Sequence, residues 1–391
     1  MDVLGEENDI IVREQEEELL HQQESNIRYV MTELHEFLKR LFKKLPAQSL
    51  LNCSRVCKRW KSVAELILKS RENCITWAQY NYHIASGSSP SPAVVPHSLG
   101  YFGLDLHNCL KETWSVPASC LFFSEFQTAD KFHGSPVTDK KKSSVTIQKH
   151  IKAALPPSCD ILSVTVPGTI STTRNLANCA ESEGEGGAVA ILFPKMEGVQ
   201  IYKVSIQNHR GIWEQSGVER HQNVKCILTM TSNTSMSTSP AGERLQNTFF
   251  RDGQTPVIAG AVIDYSLSDT TDSTECIVFA GDRVNAASIL LDENVDTEEH
   301  VIRELTQLKN AGLSETNSIG FMFACIGRGS EFFQDWDVES KAFRKIFPRT
   351  PLFGVFGNGE IGCTNLPKSK WKKVPQMTHG YTTIICLISF G

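Results

Sequence analysis

Apolar positions along the chain follow two different rhythms. Near the N-terminus, Leu34, Phe37, Leu38, Leu41, Phe42 and Leu45 recur at i, i+3, i+4 and i+7, which lines one face of a helix. Pro46 stops that helix, since its ring removes a donor and restricts the residue before it. Leu50 and Leu51 fall on a short second helix. Val56, Cys57, Trp60, Val63, Ala64 and Ile67 stripe a third. From residue 143 onward the rhythm changes to short β-rich runs separated by helical patterns. A helix is predicted over 145–155 and strands over 161–166, 188–193, 199–206, 224–230, 257–263, 276–280 and 286–291. A helix over 297–310 starts at Asp296 and Glu299 in the manner of a capping box and stops before Gly312. Strands over 319–326, 352–356 and 381–390 and a helix over 338–346 complete the series. Some strands are apolar throughout and others alternate, the mark of a mixed sheet covered by helices. No period of 20 to 50 residues repeats. The fold class expected is α+β, or mixed α/β: a small three-helix unit followed by a large mixed-sheet domain.

Composition sets the borders. Residues 1–27 are read as an acidic, disordered tail, with nine carboxylates against one arginine in the first 25 positions. The helical unit is placed at 28–77. A linker at 78–95 contains the run SGSSPSP, and the large domain takes 96–391. A second polar break, eight Ser or Thr between Thr229 and Pro240, is expected to be a surface loop.

Overall chemistry narrows the function. The chain has 391 residues, 40% hydrophobic and 21% charged, the balance of a folded domain protein. A net charge of −5 gives no general attraction to nucleic acid. Neither a signal peptide nor a run of eighteen apolar residues is present, so no membrane role is expected. Twelve cysteines without a single CxxC pair fit reduced thiols in the cytoplasm and nucleus better than disulfides or a zinc site. No metal and no cofactor are expected.

Charge is concentrated in one place. Between Lys39 and Lys61 lie eight basic residues and no acid: Lys39, Arg40, Lys43, Lys44, Arg55, Lys58, Arg59 and Lys61. A solvated face, a helix-turn-helix gripping phosphate and a surface docking an acidic protein all fit such a run. The apolar surplus chooses among them. Pro46, Leu50, Leu51 and Trp60, added to the two stripes, exceed what one unit of this size can hide, which points to a protein partner.

LFGVFGNGEIG, residues 352–362, raises the question of a phosphate-binding loop. A dinucleotide fingerprint needs G-x-G-x-x-G opening a helix, and a Walker loop needs Gly-Lys-Ser or Gly-Lys-Thr; neither is here. The glycines are read as permitting close backbone approach where a strand ends and turns. IGRG at 326–329 repeats that design, with Arg328 taken as exposed. Arg328, Gly329, Asn358, Gly359 and Glu360 are the candidate ligand- or substrate-binding residues, Glu360 being suited to an amine. A mutual surface salt bridge between Arg328 and Glu360 is the structural alternative. Cys325 and Cys363 are the only tempting nucleophiles. Cys325 lies inside an apolar run, neither has a neighbouring His in sequence, and no hydrolase or kinase motif appears. No catalytic residue is assigned.

Two resemblances add to these readings. FLKRLFKKLPAQSLLNCSRVCKRWKSVA resembles the F-box, including its V-C-x-x-W third helix, although Glu33-Leu34 stand where the box usually opens with Leu-Pro. The resemblance implies that Leu38, Leu41, Phe42, Leu45, Pro46, Leu50, Leu51, Val56, Cys57 and Trp60 dock a Skp-family adaptor. That adaptor would join the chain to the cullin scaffold and RING subunit of a ubiquitin ligase. The runs VAILFPKMEG (189–198), NSIGFMFACIGRGSEFF (317–333) and PLFGVFGNGEIGC (351–363) resemble the FIST domain, a proposed intracellular sensory or small-ligand-binding module. Together they imply a non-catalytic receptor whose large domain selects protein substrates for ubiquitination and proteasomal degradation. The alternatives are a small-ligand sensor and, behind it, a cysteine hydrolase.

Overall fold

A computed structural model describes residues 18–29, 35–71, 75–81, 98–125, 149, 151–184, 186–206, 211–219, 222–232, 241–250, 255–263, 274–367 and 375–391. These fall into two compact units, one within Met1–Glu72 and Lys111–Val116, the other within Asn73–Leu110 and Pro117–Gly391. The SGSSPSP run, Glu33-Leu34 and most of the Ser/Thr-rich loop lie outside the described residues.

In the smaller unit, helices α1 (His35–Phe42), α2 (Ala47–Cys53) and α3 (Lys58–Ser70) occur where the stripes and Pro46 place them. Leu38, Phe42, Leu50, Val63, Ala64 and Ile67 form its core. The Phe42 and Trp60 rings meet edge-to-face with centroids 5.2 Å apart. Cys57 caps α3 by accepting from Trp60 N at 3.5 Å. Arg71 donates to the carbonyls of Phe42 (3.1 Å) and Lys43 (2.9 Å), satisfying orphan acceptors at the end of α1. Its guanidinium lies 4.5 Å from the Trp114 ring centroid, and Ala47 N donates to Thr113 O at 2.8 Å. Residues 111–116 thus complete this unit from a distant part of the chain. The sequence pattern gives no hint of that return. Residues 18–29, expected within or beside a disordered tail, form a helix with every side chain exposed.

The larger unit is built on one wiring scheme used three times. Its first sheet contains β1 (Thr76–Asn81), β2 (Pro117–Glu125), β3 (Asp160–Val166) and β6 (Gly187–Pro194) in the order β1-β6-β2-β3. Helix α4 (Ser98–Glu112) follows β1, while β4 (Gly168–Thr172) and β5 (Cys179–Ser182) form a hairpin that joins another sheet. The second scheme uses β7 (Gln200–Ile206), α5 (Ile212–Ser216), β8 (Val224–Ser232), α6 (Ala241–Phe249), β9 (Val257–Ile263) and β10 (Thr274–Ala280). The third uses β11 (Val284–Leu291), α7 (Glu298–Asn310), β12 (Ser318–Cys325), α8 (Ser330–Phe333), α9 (Val338–Ile346), β13 (Leu352–Gly357), β14 (Glu360–Gly362), β15 (Thr378–His379) and β16 (Thr383–Phe390). Each time the chain lays an edge strand and then a parallel pair: β2 with β3, β8 with β9, β12 with β13. It then returns antiparallel between the edge strand and the first of the pair. The β4–β5 hairpin extends the third sheet beyond β13, and β14–β15 extends the second beyond β9. No helix among the described residues is long and apolar enough to cross a membrane.

One central core joins the three sheets, with Phe123 and Ile191 from the first, Leu228 and Phe279 from the second, and Phe321, Phe323 and Ile384 from the third. The opposite face of the third sheet, with Met322, Ala324, Leu352 and Phe356, packs on α7 and α9 through Leu305, Leu308 and Phe343. Burial on both faces explains why these strands read as unbroken apolar runs. β1, from Thr76, belongs to the larger unit, so the helical unit ends before residue 77 and the expected linker begins with a paired strand.

Two glycines of the 352–362 run show why the run exists. A Cβ on Gly354 would lie 1.8 Å from Met322 O, and one on Gly362 (φ +147°) 2.6 Å from Ile258 O. The first allows β13 to press against β12, the second lets β14 turn beside β9. Gly354→Ala is expected to destabilise the larger unit by about 1–3 kcal/mol, the usual range for an overpacked core, or more because the obstacle is backbone. Chemical denaturation followed by near-ultraviolet circular dichroism measures this.

Candidate functional site

The ten residues expected to dock an adaptor separate into two sets. Leu38, Phe42 and Leu50 are buried inside the three-helix core, so they shape the surface without belonging to it. Burial of the unit's own stripe takes precedence, because contacts among these side chains hold the three helices together. Leu45, Pro46, Cys57 and Trp60 are half-buried. Leu41, Leu51 and Val56 are exposed, joined by Phe37, which lies on the same helix as Leu41. Four apolar side chains in water on so small a unit, among Arg40, Lys43, Lys44, Arg55, Lys58, Arg59 and Lys61, which are all exposed, form a greasy surface with a basic surround. Lys39 and Lys61 make only loose pairs with Glu36 (3.9 Å) and Glu65 (3.8 Å).

The residues proposed for a ligand converge on the ends of the parallel strands β12 and β13, but most are inaccessible. Arg328, expected on the surface, is wholly buried. It does not pair with Glu360. Its Nη2 lies 2.9 Å from Glu339 Oε1 on α9, and its Nε 3.2 Å from the same oxygen. Nη1 donates to the carbonyls of Asp292 (2.9 Å) and Tyr381 (3.3 Å), and Nη2 to Val295 O (2.7 Å). The Phe332 and Phe333 rings cover the guanidinium at 4.7 and 5.3 Å. Five N–H donors in a planar fork suit this task, and a lysine would leave acceptors unmet.

Glu360 is buried as well. Its Oε2 accepts from Thr382 N (3.2 Å) and Thr382 Oγ1 (2.7 Å), while Oε1 has no hydrogen-bond partner. Gly329 faces Glu183: a Cβ there would sit 2.2 Å from that carboxylate, which accepts from Ser330 N at 2.7 Å. The space at this turn, read as open to a ligand, is therefore filled by the Glu183 side chain. Gly359 is buried and its carbonyl accepts from Val262 N. Of the five candidates only Asn358 exposes its side chain.

Sequence reasoning missed three further acids that complete this interior. Glu339 also accepts from Thr383 Oγ1 (2.8 Å). Glu181 Oε1 accepts from Ser340 N at the start of α9 (2.7 Å), and Glu125 accepts from Thr169 N, Thr169 Oγ1 and Gly186 N. A carboxylate embedded in a run such as CAES or LFFSE is the only available signal, and on its own it names no partner. Burial pushes Glu125 up to about 7, against its hydrogen bonds, and Glu360 up to about 8, against Thr382. Burial, and then the neighbouring Glu339, raise Glu181 to about 8. For Glu339 burial also raises the pKa, while Arg328 pulls it back. Burial raises the thiols too, Cys363 to about 12 and Cys325 upward with Glu360 adding to it, the opposite of what a nucleophile requires. Among the described residues no group of three His, Cys, Asp or Glu could hold a metal ion.

Two outcomes follow. Folded carboxyls with raised pKa values keep protons that the unfolded chain releases. Their stabilising effect is complete below the ordinary value of 4.5 and is lost as pH rises towards about 8. Melting temperature should fall across that window, by about 1.4 kcal/mol of stability per pH unit for each group differing fully between the two states, and level off above it. Glu360→Gln should make the slope shallower in thermal denaturation at several pH values. Arg328→Met should cost roughly 3–5 kcal/mol, because it strands Glu339 without its partner; urea titration at pH 7 checks this.

Residues 35–70 match the family model described as F-box-like. F-box only protein 22 from Homo sapiens is 28% identical over 93% of this chain and 94% of its own length. The protein of that name from Pongo abelii gives the same identity and coverage. Among solved structures, a cyanuric acid hydrolase from A. caulinodans covers 81% of this chain and 98% of its own at a TM-score of 0.36 and 7% identity, too slight a likeness to bear on either fold or activity. The chain thus carries an F-box-like domain at residues 35–70 and is similar, through nearly its whole length, to F-box only protein 22.

Proposed function

We propose that this protein is the substrate-recognition subunit of a Skp–cullin–F-box ubiquitin ligase. Its helical unit holds the adaptor, and through it the cullin scaffold and RING subunit. Its larger, FIST-like unit holds target proteins for ubiquitination and proteasomal degradation. The observation that carries this reading is the exposed set Phe37, Leu41, Leu51 and Val56 on F-box-like helices. Each large apolar side chain fully covered by a partner contributes about 1.5–3 kcal/mol, enough to anchor a complex with a few contacts. The acid-free stretch from Lys39 to Lys61 suits an acidic adaptor surface and speeds encounter with it.

The chain is a receptor rather than a catalyst in this reading: it brings a target lysine close to a ubiquitin-loaded enzyme recruited by other subunits. Buried, high-pKa thiols at Cys325 and Cys363 agree with that role. The cytoplasm and nucleus are the proposed compartments, on the strength of twelve cysteines without a CxxC pair.

Leu41→Asp combined with Val56→Asp tests the surface, since both side chains are exposed and neither supports the core. Leu45 is a poorer choice because it packs partly against that core. The double variant should weaken binding to a purified Skp-family adaptor at least a hundredfold in calorimetry, with unchanged circular dichroism. Leu50→Asp should instead unfold the helical unit. Undiminished adaptor affinity in the folded double variant would remove the proposed interface.

A further inference from the structure

The ends of β12 and β13 carry an exposed rim whose construction differs from that of an ordinary loop cluster. Tyr381 and Ile326 are its large apolar groups, 64% and 52% exposed. They flank Gly327, whose Cβ, if present, would touch the Tyr381 ring at 3.1 Å. The backbone along the rim is strained. Tyr381 has φ +59°, and Gln334 and Asp337, on either side of the exposed Trp336, have φ +54° and +60°. A non-glycine residue in that region costs free energy and persists only where its surroundings enforce it. Here the enforcement is visible. Arg328 binds the carbonyl of Tyr381 and those of Asp292 and Val295, Asp337 Oδ1 accepts from Glu181 N (2.7 Å), and Lys341 Nζ holds Trp336 O (2.6 Å). Two aromatics and an isoleucine are thereby kept in water on a rigid frame, when turning inward would have been the cheaper arrangement.

Charge around these groups is mostly acidic, although Asp296 lies 3.1 Å from His300 Nδ1. Asp292, Glu293 and Asp296 on the β11–α7 connection and Glu331 and Asp335 beside α8 are exposed. The segments 292–297, 326–336, 357–360 and 378–382 contain one Arg or Lys, and that is Arg328, buried against Glu339. His379 is half-buried and its Nε2 faces the Gly362 and Gln376 carbonyls. Lys341, on α9, is committed to Trp336 O.

We propose that this rim is the target-docking surface of the larger unit, and that its occupant is a protein segment with a large apolar residue flanked by Lys or Arg. Ile326 and Tyr381 take the apolar residue; the surrounding carboxylates take the cations. Rigid aromatic anchors ringed by polar groups are the usual form of an interaction hot spot. Carboxylates at the edge select the sign of the partner and raise its association rate rather than supplying most of the affinity. The proposal rests on the receptor reading, and specifies the kind of target such a receptor takes.

The test uses the full-length chain bound to its adaptor, probed with a display library of random dodecapeptides. Selected peptides should be net basic with at least one Leu, Ile, Phe, Tyr or Trp. Their affinity should fall at least tenfold with Ile326→Ser combined with Tyr381→Ser, and severalfold when NaCl is raised from 50 to 300 mM. Glu331→Lys with Asp335→Lys, both on the surface, should move the selected charge towards acidic. Absence of enrichment over an adaptor-only control, acidic selection by the wild type, or equal binding by the serine variant would each overturn the proposal. Adaptor affinity measured on the same samples keeps the two readings apart: its loss in the wild-type chain defeats the receptor reading, whereas its retention with no selected peptides defeats only the docking surface.

Discussion

Arg328 is the interaction on which the end of the third sheet depends. Removing a guanidinium from water is expensive, and one carboxylate rarely compensates for it. Here Glu339 supplies the opposite charge, three backbone carbonyls take N–H groups, and two phenyl rings cover the flat faces. The carbonyls come from the β11–α7 connection and from Tyr381, two residues before β16, so a single side chain fixes segments far apart in sequence. The same neighbourhood holds the buried acids Glu181 and Glu360, for which no second buried cation exists among the described residues. Burial without an opposite charge at hand raises their pKa values towards about 8.

The repeated wiring explains how such an interior arises. Each parallel pair needs a covered crossover, and the two strands of a pair end at the same edge of their sheet. At that edge the backbone stops pairing regularly, so polar side chains such as Thr382, Thr383 and Glu360 have work to do there. The β4–β5 hairpin, which comes from the first scheme but pairs with the third sheet, brings Glu181 to the start of α9. A carboxylate at a helix N-terminus meets free N–H groups and the positive end of the helix dipole. Charge satisfaction and strand exchange are therefore parts of one arrangement.

Most strands were legible from the sequence because burial on both faces writes itself as runs such as SIGFMFAC and TIICLISF. The three F-box-like helices were legible through their stripes and Pro46. Strands β1, β2, β4, β5, β14 and β15 were not: β1 and β2 precede residue 143, where the β-rich rhythm was first recognised, while Gly168–Thr172 and Glu360–Gly362 are short and pair with distant edges, which leaves no local mark. Arg328 was misjudged for a related reason. IGRG has the composition of an exposed turn, and only the three-dimensional meeting of Glu339, Phe332, Phe333 and three carbonyls makes burial affordable. The glycine run was read rightly as a means of close approach, because the order of glycines and the lack of a following helix are local facts. What Glu360 meets is not local, and its burial had no signal.

The same distinction governs the helical unit. A hydrophobic stripe states that a side chain avoids water without stating what it avoids water with. Leu38, Phe42 and Leu50 find each other within the unit, whereas Leu41, Leu51 and Val56, of similar chemistry and close in sequence, do not. Periodicity could not divide them, since the apolar arc of α1 is wider than one packing partner can cover. The remainder left in water beside a basic surround is a cost that an isolated three-helix unit has no reason to bear. A partner that covers it removes the cost, and the excess of apolar surface over what the unit can bury itself is therefore the strongest physical argument for an adaptor.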